Sequence, residues 1–237
     1  MAVSIPDANA PKGELTLRSQ AYERFVDALV SRNLSPGQFV TQRMLVELTG
    51  FPLGAVRELI PRLEGDGLIS TLSRRGLQIA HVDVDLVRNA YEFRLMLEKE
   101  ALLRFIATVS DEEIAAIEKQ HREIIRQIAS GKVSQAVADR AQAMDWSFHD
   151  AIIRAMHNEI VSNAYRVNSI KIRLTYQGRL RLTAQNLKRV MTEHLAIIDG
   201  IAKRDVAAAV AALTYHIEAS RSVALGEHPL PRETSRP

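Results

Sequence analysis

The 237-residue sequence predicts a mainly α fold: an N-terminal winged helix-turn-helix over 17–82, then a C-terminal all-α helical bundle over 83–228. Three observations carry this. Apolar residues recur at helical spacing through most of the chain, with few aromatics and only 11 Gly and 8 Pro. Two short β-branched and Leu-rich runs flank a basic turn directly after three helical stretches. From about Asp83 the pattern stays helical to residue 226.

Residues 1–16 contain Pro, Ala and Gly without periodicity and read as a flexible tail, as do 229–237. A helix is expected from about Thr16 to Asn33, with Leu17, Ala21, Phe25, Ala28 and Leu29 on one side. Leu34-Ser35-Pro36-Gly37 is a turn leading through Gln38-Phe39-Val40 to a second helix near 41–49, which Gly50 ends. Pro52 opens a third helix as a first-turn residue. Its buried stripe is Val56, Leu59, Ile60 and Leu63; Gly54, Arg57, Glu58 and Pro61 face the other way, with Arg62 at the margin. Pro61 removes one backbone bond at about 3 kcal/mol, so a kink or early end is expected near Arg57–Leu59. Leu68–Thr71 and Leu77–Ala80 flank Ser73-Arg74-Arg75-Gly76, a hairpin with a basic tip. Three helices and a basic hairpin is the order of a winged helix-turn-helix.

In the second part, Ser110-Asp111-Glu112-Glu113 is a capping box and Ser130-Gly131 closes the helix it opens. Asp205 caps the last helix. Ile170–Tyr176 alternates with period two, yet an isolated strand there has nothing to pair with, so helix is expected.

Net charge is only +3, too small to argue for nucleic acid from the total. Residues 18–82, however, carry eight Arg against six acids and no Lys, and Arg suits bidentate phosphate and guanine contacts. Arg57, facing away from the helix core, is the leading candidate for a DNA contact. Arg43, Arg62, Arg74 and Arg75 are candidate phosphate contacts, with ordinary surface charge as the alternative. The N-terminus lacks an apolar core flanked by positive charge, and no run of about 18 apolar residues occurs, so no membrane association and a cytoplasmic protein are expected.

With no cysteines, any metal must take nitrogen and oxygen ligands. Four residues suggest such a site: Asp145, His149, His194 and His216, each near the middle of an apolar helical stripe. Asp145 and His149 are four apart and share a face with Ala141, Ile152, Ile153 and Met156. His194 is centred among Val190, Ile197, Ile198 and Ile201, and His216 among Ala209, Ala212, Leu213, Ser220 and Val223. One such histidine is more simply a core residue bonded to a carbonyl; three with an Asp point to a divalent cation, zinc first, then manganese or nickel. His81, His121, His157 and His228 read as surface or structural residues. A hydrolytic zinc is the rival reading, but there is no His-Glu-x-x-His run, and Glu193 projects about 100° round the helix from His194. No enzyme is expected.

The N-terminal residues Gly50, Val56-Arg57-Glu58-Leu59, Arg62-Leu63-Glu64, Asp66-Gly67-Leu68-Ile69 and Arg75-Gly76 resemble one known family. So do Tyr91-Glu92-Phe93-Arg94, Leu97-Glu98, Phe148-His149, Asn158 and Glu193-His194 with Ala196-Ile197. Over roughly 18–226 the chain looks like a GntR-superfamily transcription regulator of the FadR-like branch, with a metal-binding FCD ligand domain. The resemblance implies a homodimer, or a higher even oligomer, on a palindromic double-stranded DNA operator. It implies a small organic-acid effector beside the metal, and repression as the commoner sign. A metal-responsive regulator, in which the cation is the signal, is the alternative. Arg94 is expected to clamp the effector, against an exposed i,i+4 pair with Glu98. Relatives carry Ser-Arg-Thr/Ser-Pro where this chain reads Pro52-Leu53-Gly54-Ala55. Leu53 cannot replace that Arg, and Gly54 is instead a candidate for close backbone approach to a phosphate.

Overall fold

A computed structural model describes residues 17–73, 75–129, 133–179 and 184–227. Both expected tails, Arg74 at the hairpin tip, His228 and the Ser130-Gly131 stop lie outside the described residues. The chain divides into two compact units between His81 and Val82.

The first unit runs α1 (Leu17–Val30), β1 (Phe39–Val40), α2 (Gln42–Thr49), α3 (Leu53–Gly65), β2 (Ile69–Leu72) and β3 (Gly76–Ile79). The three helices pack on one another, burying Ala21, Tyr22, Phe25 and Leu29 of α1 with Leu45 of α2 and Val56, Leu59 and Leu63 of α3. The Thr41 hydroxyl accepts from the Met44 amide at 3.1 Å and starts α2. Gly50 ends it in the left-handed region (φ 74°). Pro52 stands just outside α3 rather than in its first turn, with extended backbone.

The early end expected near Arg57–Leu59 does not occur, because α3 runs from Leu53 through Pro61 to Gly65. Pro61 lies on the exposed side, and the carbonyl it deprives of a helical donor belongs to Arg57, also exposed. The buried residues Val56, Leu59, Ile60 and Leu63 fall before and after the break and hold both halves to one core. The hairpin forms as expected, but β3 is the centre of three antiparallel strands in the order β1-β3-β2, with Gln78 opposite both Phe39 and Ser70. Two residues are too few for alternation to announce β1.

The second unit is α4 (Val84–Thr108), α5 (Asp111–Ala129), α6 (Gln135–Arg154), α7 (Glu159–Arg179), α8 (Ala184–Ala202) and α9 (Val206–Leu225). Its starts are capped by side chains: Asp83 accepts from Leu86 N at 2.7 Å, Ser134 from Val137 N at 3.3 Å and Asp205 from Ala208 N at 2.9 Å. The Ser110–Glu113 box closes both ways, at 3.2 and 3.0 Å. The alternating Ile170–Tyr176 stretch lies inside α7.

Helix α4 packs on α6, α7 and α9, while α8 packs on α5, α6 and α9. Gly200 permits the α8–α9 contact: a Cβ there would stand 2.7 Å from Ala209 N and 2.8 Å from its Cα. Two apolar clusters result. The larger includes Tyr91, Leu102, Ile152, Ile197, Leu213 and Ile217; the smaller joins Ile124, Ile128, Ala138, Ala141, Leu187 and Met191. Along α6 and α8 the polar residues fall where one cluster gives way to the other: Asp145 and His149 between Ala141 and Ile152, His194 between Met191 and Ile197. Among the described residues no helix is long and apolar enough to cross a membrane.

Candidate metal centre

Helical spacing stacks Asp145 and His149 on one face of α6, while α8 and α9 bring His194 and His216 to the same point. One ligand atom from each of the four lies within 4.8 Å of the others. The histidines are at most 1% exposed and Asp145 is 7% exposed. His149 Nε2 and His194 Nε2 stand 3.2 and 3.3 Å from His216 Nε2. Asp145 Oδ1 is 3.2 Å from His194 Nε2 and 3.8 Å from His149 Nε2. Ligands about 2.1 Å from a tetrahedral cation are about 3.4 Å apart, so this donor set has the spacing such an ion requires.

The outward ring nitrogens decide what the inward ones present. His149 Nδ1 is 2.6 Å from Glu98 Oε2, and His216 Nδ1 is 2.8 Å from Glu193 Oε2. A carboxylate only accepts, so each Nδ1 carries the proton and each neutral ring turns an Nε2 lone pair inward. Two lone pairs facing across 3.2 Å repel one another, and a cation between them removes the conflict.

Glu98 is the hub on the α4 side. Its Oε1 also accepts from Arg94 Nε at 2.7 Å and from the Tyr165 hydroxyl at 2.6 Å. Burial would raise its pKa, but the Arg94 and His149 charges and the hydrogen bonds from His149 and Tyr165 win, holding it at about 2. Burial and the Glu98 charge push the Tyr165 phenol well up, so it stays a donor. Burial likewise opposes ionisation of Asp145, yet the His194 hydrogen bond and the charges of His194, His149 and Arg94 hold it well below the usual carboxylate range. Burial lowers His194 to about 4 against the pull of Asp145, and lowers His216 strongly, reinforced by His194 and His149. Neutral imidazoles beside an ionised carboxylate are what a divalent cation binds.

Three of the sequence expectations change here. His121, left among the surface or structural residues, is 1% exposed, with Nε2 3.1 Å from His194 Nδ1 and Nδ1 2.8 Å from Ile117 O. Its apolar neighbours Ile114, Ile117, Ile124 and Ile128 are the same kind of stripe that marks the other three. Glu193 does reach the site, but from outside, through His216 on the neighbouring helix and with Arg189 Nη1 at 2.7 Å from its Oε1. It therefore orients a ring and faces no reacting atom. Arg94 points inward and also pairs with Glu98; the i,i+4 pair is real but buried rather than exposed. Glu98 itself carried a sequence signal, four residues after Arg94 and next to the apolar position Leu97.

On the first unit, Arg57 is exposed on α3 and its Nε donates to Gln42 Oε1 at 3.3 Å. Arg43 is exposed and bonds Glu47 at 3.0 Å. The Arg62 guanidinium lies 3.9 Å over the Tyr22 ring, half-buried. Arg75 is exposed, Leu53 is 41% exposed, and nothing lies within 4 Å of where a Gly54 Cβ would be.

A three-helix winged unit followed by an all-helical bundle with a buried histidine centre is the architecture of ligand-binding regulators rather than of a hydrolase. The FCD domain model matches residues 89–219, more than half the chain, and the chain belongs to that family. It is 25% identical over 195 residues to the HTH-type transcriptional regulator YdhC of Bacillus subtilis (strain 168), covering 80% of this chain and 83% of that protein. It is 26% identical over 227 residues to the HTH-type transcriptional regulator BphR of Paraburkholderia xenovorans (strain LB400), covering 94% and 89%. A GntR transcriptional regulator from Rhodococcus sp. RHA1 shares the fold with a TM-score of 0.71 at 18% identity, over 90% of this chain and 99% of that one. The proteins it resembles are regulators, not enzymes.

Proposed function

We propose that the chain is a DNA-binding transcription regulator whose operator affinity is set by a small carboxylate-bearing effector bound beside a divalent cation. The ligands are Asp145, His149, His194 and His216, with zinc the first choice and manganese or nickel after it. One observation carries this reading: the inward Nε2 atoms of His149 and His216 stand 3.2 Å apart while both outward nitrogens face carboxylates. Four protein ligands leave room in the shell of a cation that accepts more than four, and an effector carboxylate fits there. The charges favour an anion as well. Asp145, Glu98 and Glu193 face Arg94 and Arg189, three negative against two positive, so a dication leaves the assembly one unit positive. Arg94, buried beside Glu98, is the candidate clamp for the effector's second oxygen.

The winged unit supplies the output. Arg57 reads a base, while Arg43, Arg75, Arg74 and the open backbone at Gly54 meet phosphates. Arg62, stacked on Tyr22, is the weakest of these candidates. A homodimer presents two such units to a palindromic operator, and the effector biases one arrangement of them, repression being relieved when it binds.

The test is operator binding by the full chain, with and without chelator, then with a series of small organic acids. Release of DNA by an acid, only in the metal-loaded protein, is the expected result. A response to metal alone transfers the signal to the cation, and turnover without DNA binding overturns the reading. His194→Ala with His216→Ala should abolish metal retention measured by elemental analysis; unchanged stoichiometry removes the site.

A further inference from the structure

The three histidines of the centre are not held alike. His149 and His216 each face a carboxylate with Nδ1, but His194 faces the ring of His121 on α5. His194 therefore has two ways to place its single proton. It can donate from Nε2 to Asp145 Oδ1, 3.2 Å away, or from Nδ1 to His121 Nε2, 3.1 Å away. Only the second leaves Nε2 free for a cation.

His121 resolves the choice. Its Nδ1 lies 2.8 Å from the carbonyl oxygen of Ile117, one turn earlier on α5, and a carbonyl only accepts. A neutral His121 must then carry its proton on Nδ1 and present Nε2 as an acceptor. Were His194 to keep its proton on Nε2, two lone pairs would face each other across 3.1 Å in a buried site. We propose that His121 is a positioning residue that sets His194 in its metal-ready tautomer before any ion arrives, through the relay Ile117 C=O, His121, His194.

The edge-on contacts of the His121 ring, 5.4 Å from Phe148 and 5.3 Å from His194 between centroids, hold it in the orientation the relay needs. This inference rests on the proposed metal site but adds a residue that binds neither metal nor effector. It also separates His121 from a core histidine that merely fills space, because the space-filling role asks only for bulk.

Two variants distinguish the roles. His121→Leu keeps bulk and removes the acceptor, whereas His121→Gln restores an acceptor oxygen near the Nε2 position. The readouts are zinc affinity of the tag-free full chain by chelator competition, and ring 15N shifts of His194 in the metal-free protein. His121→Leu should lose about 10- to 100-fold in zinc affinity, and His194 should move from the Nδ1–H to the Nε2–H form. His121→Gln should keep the Nδ1–H form and recover most of the affinity. If His121→Leu misfolds, the wild-type and His121→Gln spectra decide: an Nε2–H His194 in either overturns the proposal. Equal zinc affinity in wild type and a folded His121→Leu also overturns it. Absence of zinc binding by the wild type instead removes the metal site itself, while the metal-free spectra still judge the relay.

Discussion

Glu98 ties Arg94, His149 and Tyr165 together in a pocket with no exposure, so its removal strands the guanidinium in a dry site. Glu98→Ala should destabilise the metal-free bundle by about 3–5 kcal/mol, read from urea denaturation; a loss under 1 kcal/mol would mean Arg94 finds another partner easily. His194 supplies a pH prediction. Burial holds it neutral down to about 4, whereas in an unfolded chain it takes up a proton near 6.5. Between those values the unfolded state binds more protons, so the stability of the metal-free protein should fall as pH drops from about 6.5 towards 4. Denaturation midpoints with chelator at pH 7 and pH 5 check this, and the His194→Gln variant should show a shallower dependence. The four inner residues were legible in the sequence because each interrupts an apolar stripe. Their outer partners were harder to read: Glu193 belongs to His216 only because α8 and α9 lie side by side, a fact that spacing within one helix does not contain.

Helix boundaries were the most legible elements, since Asp83, Ser110, Ser134 and Asp205 each satisfy amide groups within four residues of themselves. Pro61 misled for the opposite reason. Its cost is local, while the burial of Leu59, Ile60 and Leu63 that offsets it comes from α1 and the rest of the core. The contact between α8 and α9 is equally tertiary. Gly200→Ala gains about 1 kcal/mol in helix propensity, yet its Cβ would press on the Ala209 backbone rather than on a side chain that can swing away. A net loss of about 1–3 kcal/mol is expected, together with weaker zinc retention, because His194 and His216 ride on those two helices. A thermal melt showing unchanged or raised stability would refute the close approach.

At the scale of the whole chain, two units with different jobs predict separable phenotypes. Arg57→Ala should weaken operator binding by about 1–3 kcal/mol and relax preference at one base pair, leaving zinc stoichiometry untouched. Gel shifts against single-base operator variants measure it, and a uniform loss across all of them would make Arg57 a phosphate contact instead. The order of the two units was legible from three helices, a basic hairpin and then unbroken helical periodicity. What Leu53 does in place of a relative's Arg was not, because an exposed apolar side chain at a helix start has no partner in its own chain to reveal its use.

The ligands of the centre span α6 to α9, and their outer partners add α4 and α5. A cation there acts as a removable rivet through segments more than 100 residues apart in the chain, from Glu98 to His216. Binding to the folded state alone raises stability by RT ln(1 + [L]/Kd), so each tenfold rise in free zinc beyond Kd should add about 1.4 kcal/mol to the bundle. The melting temperature then becomes a gauge of free cation, and resistance to proteolysis should rise and fall with metal supply.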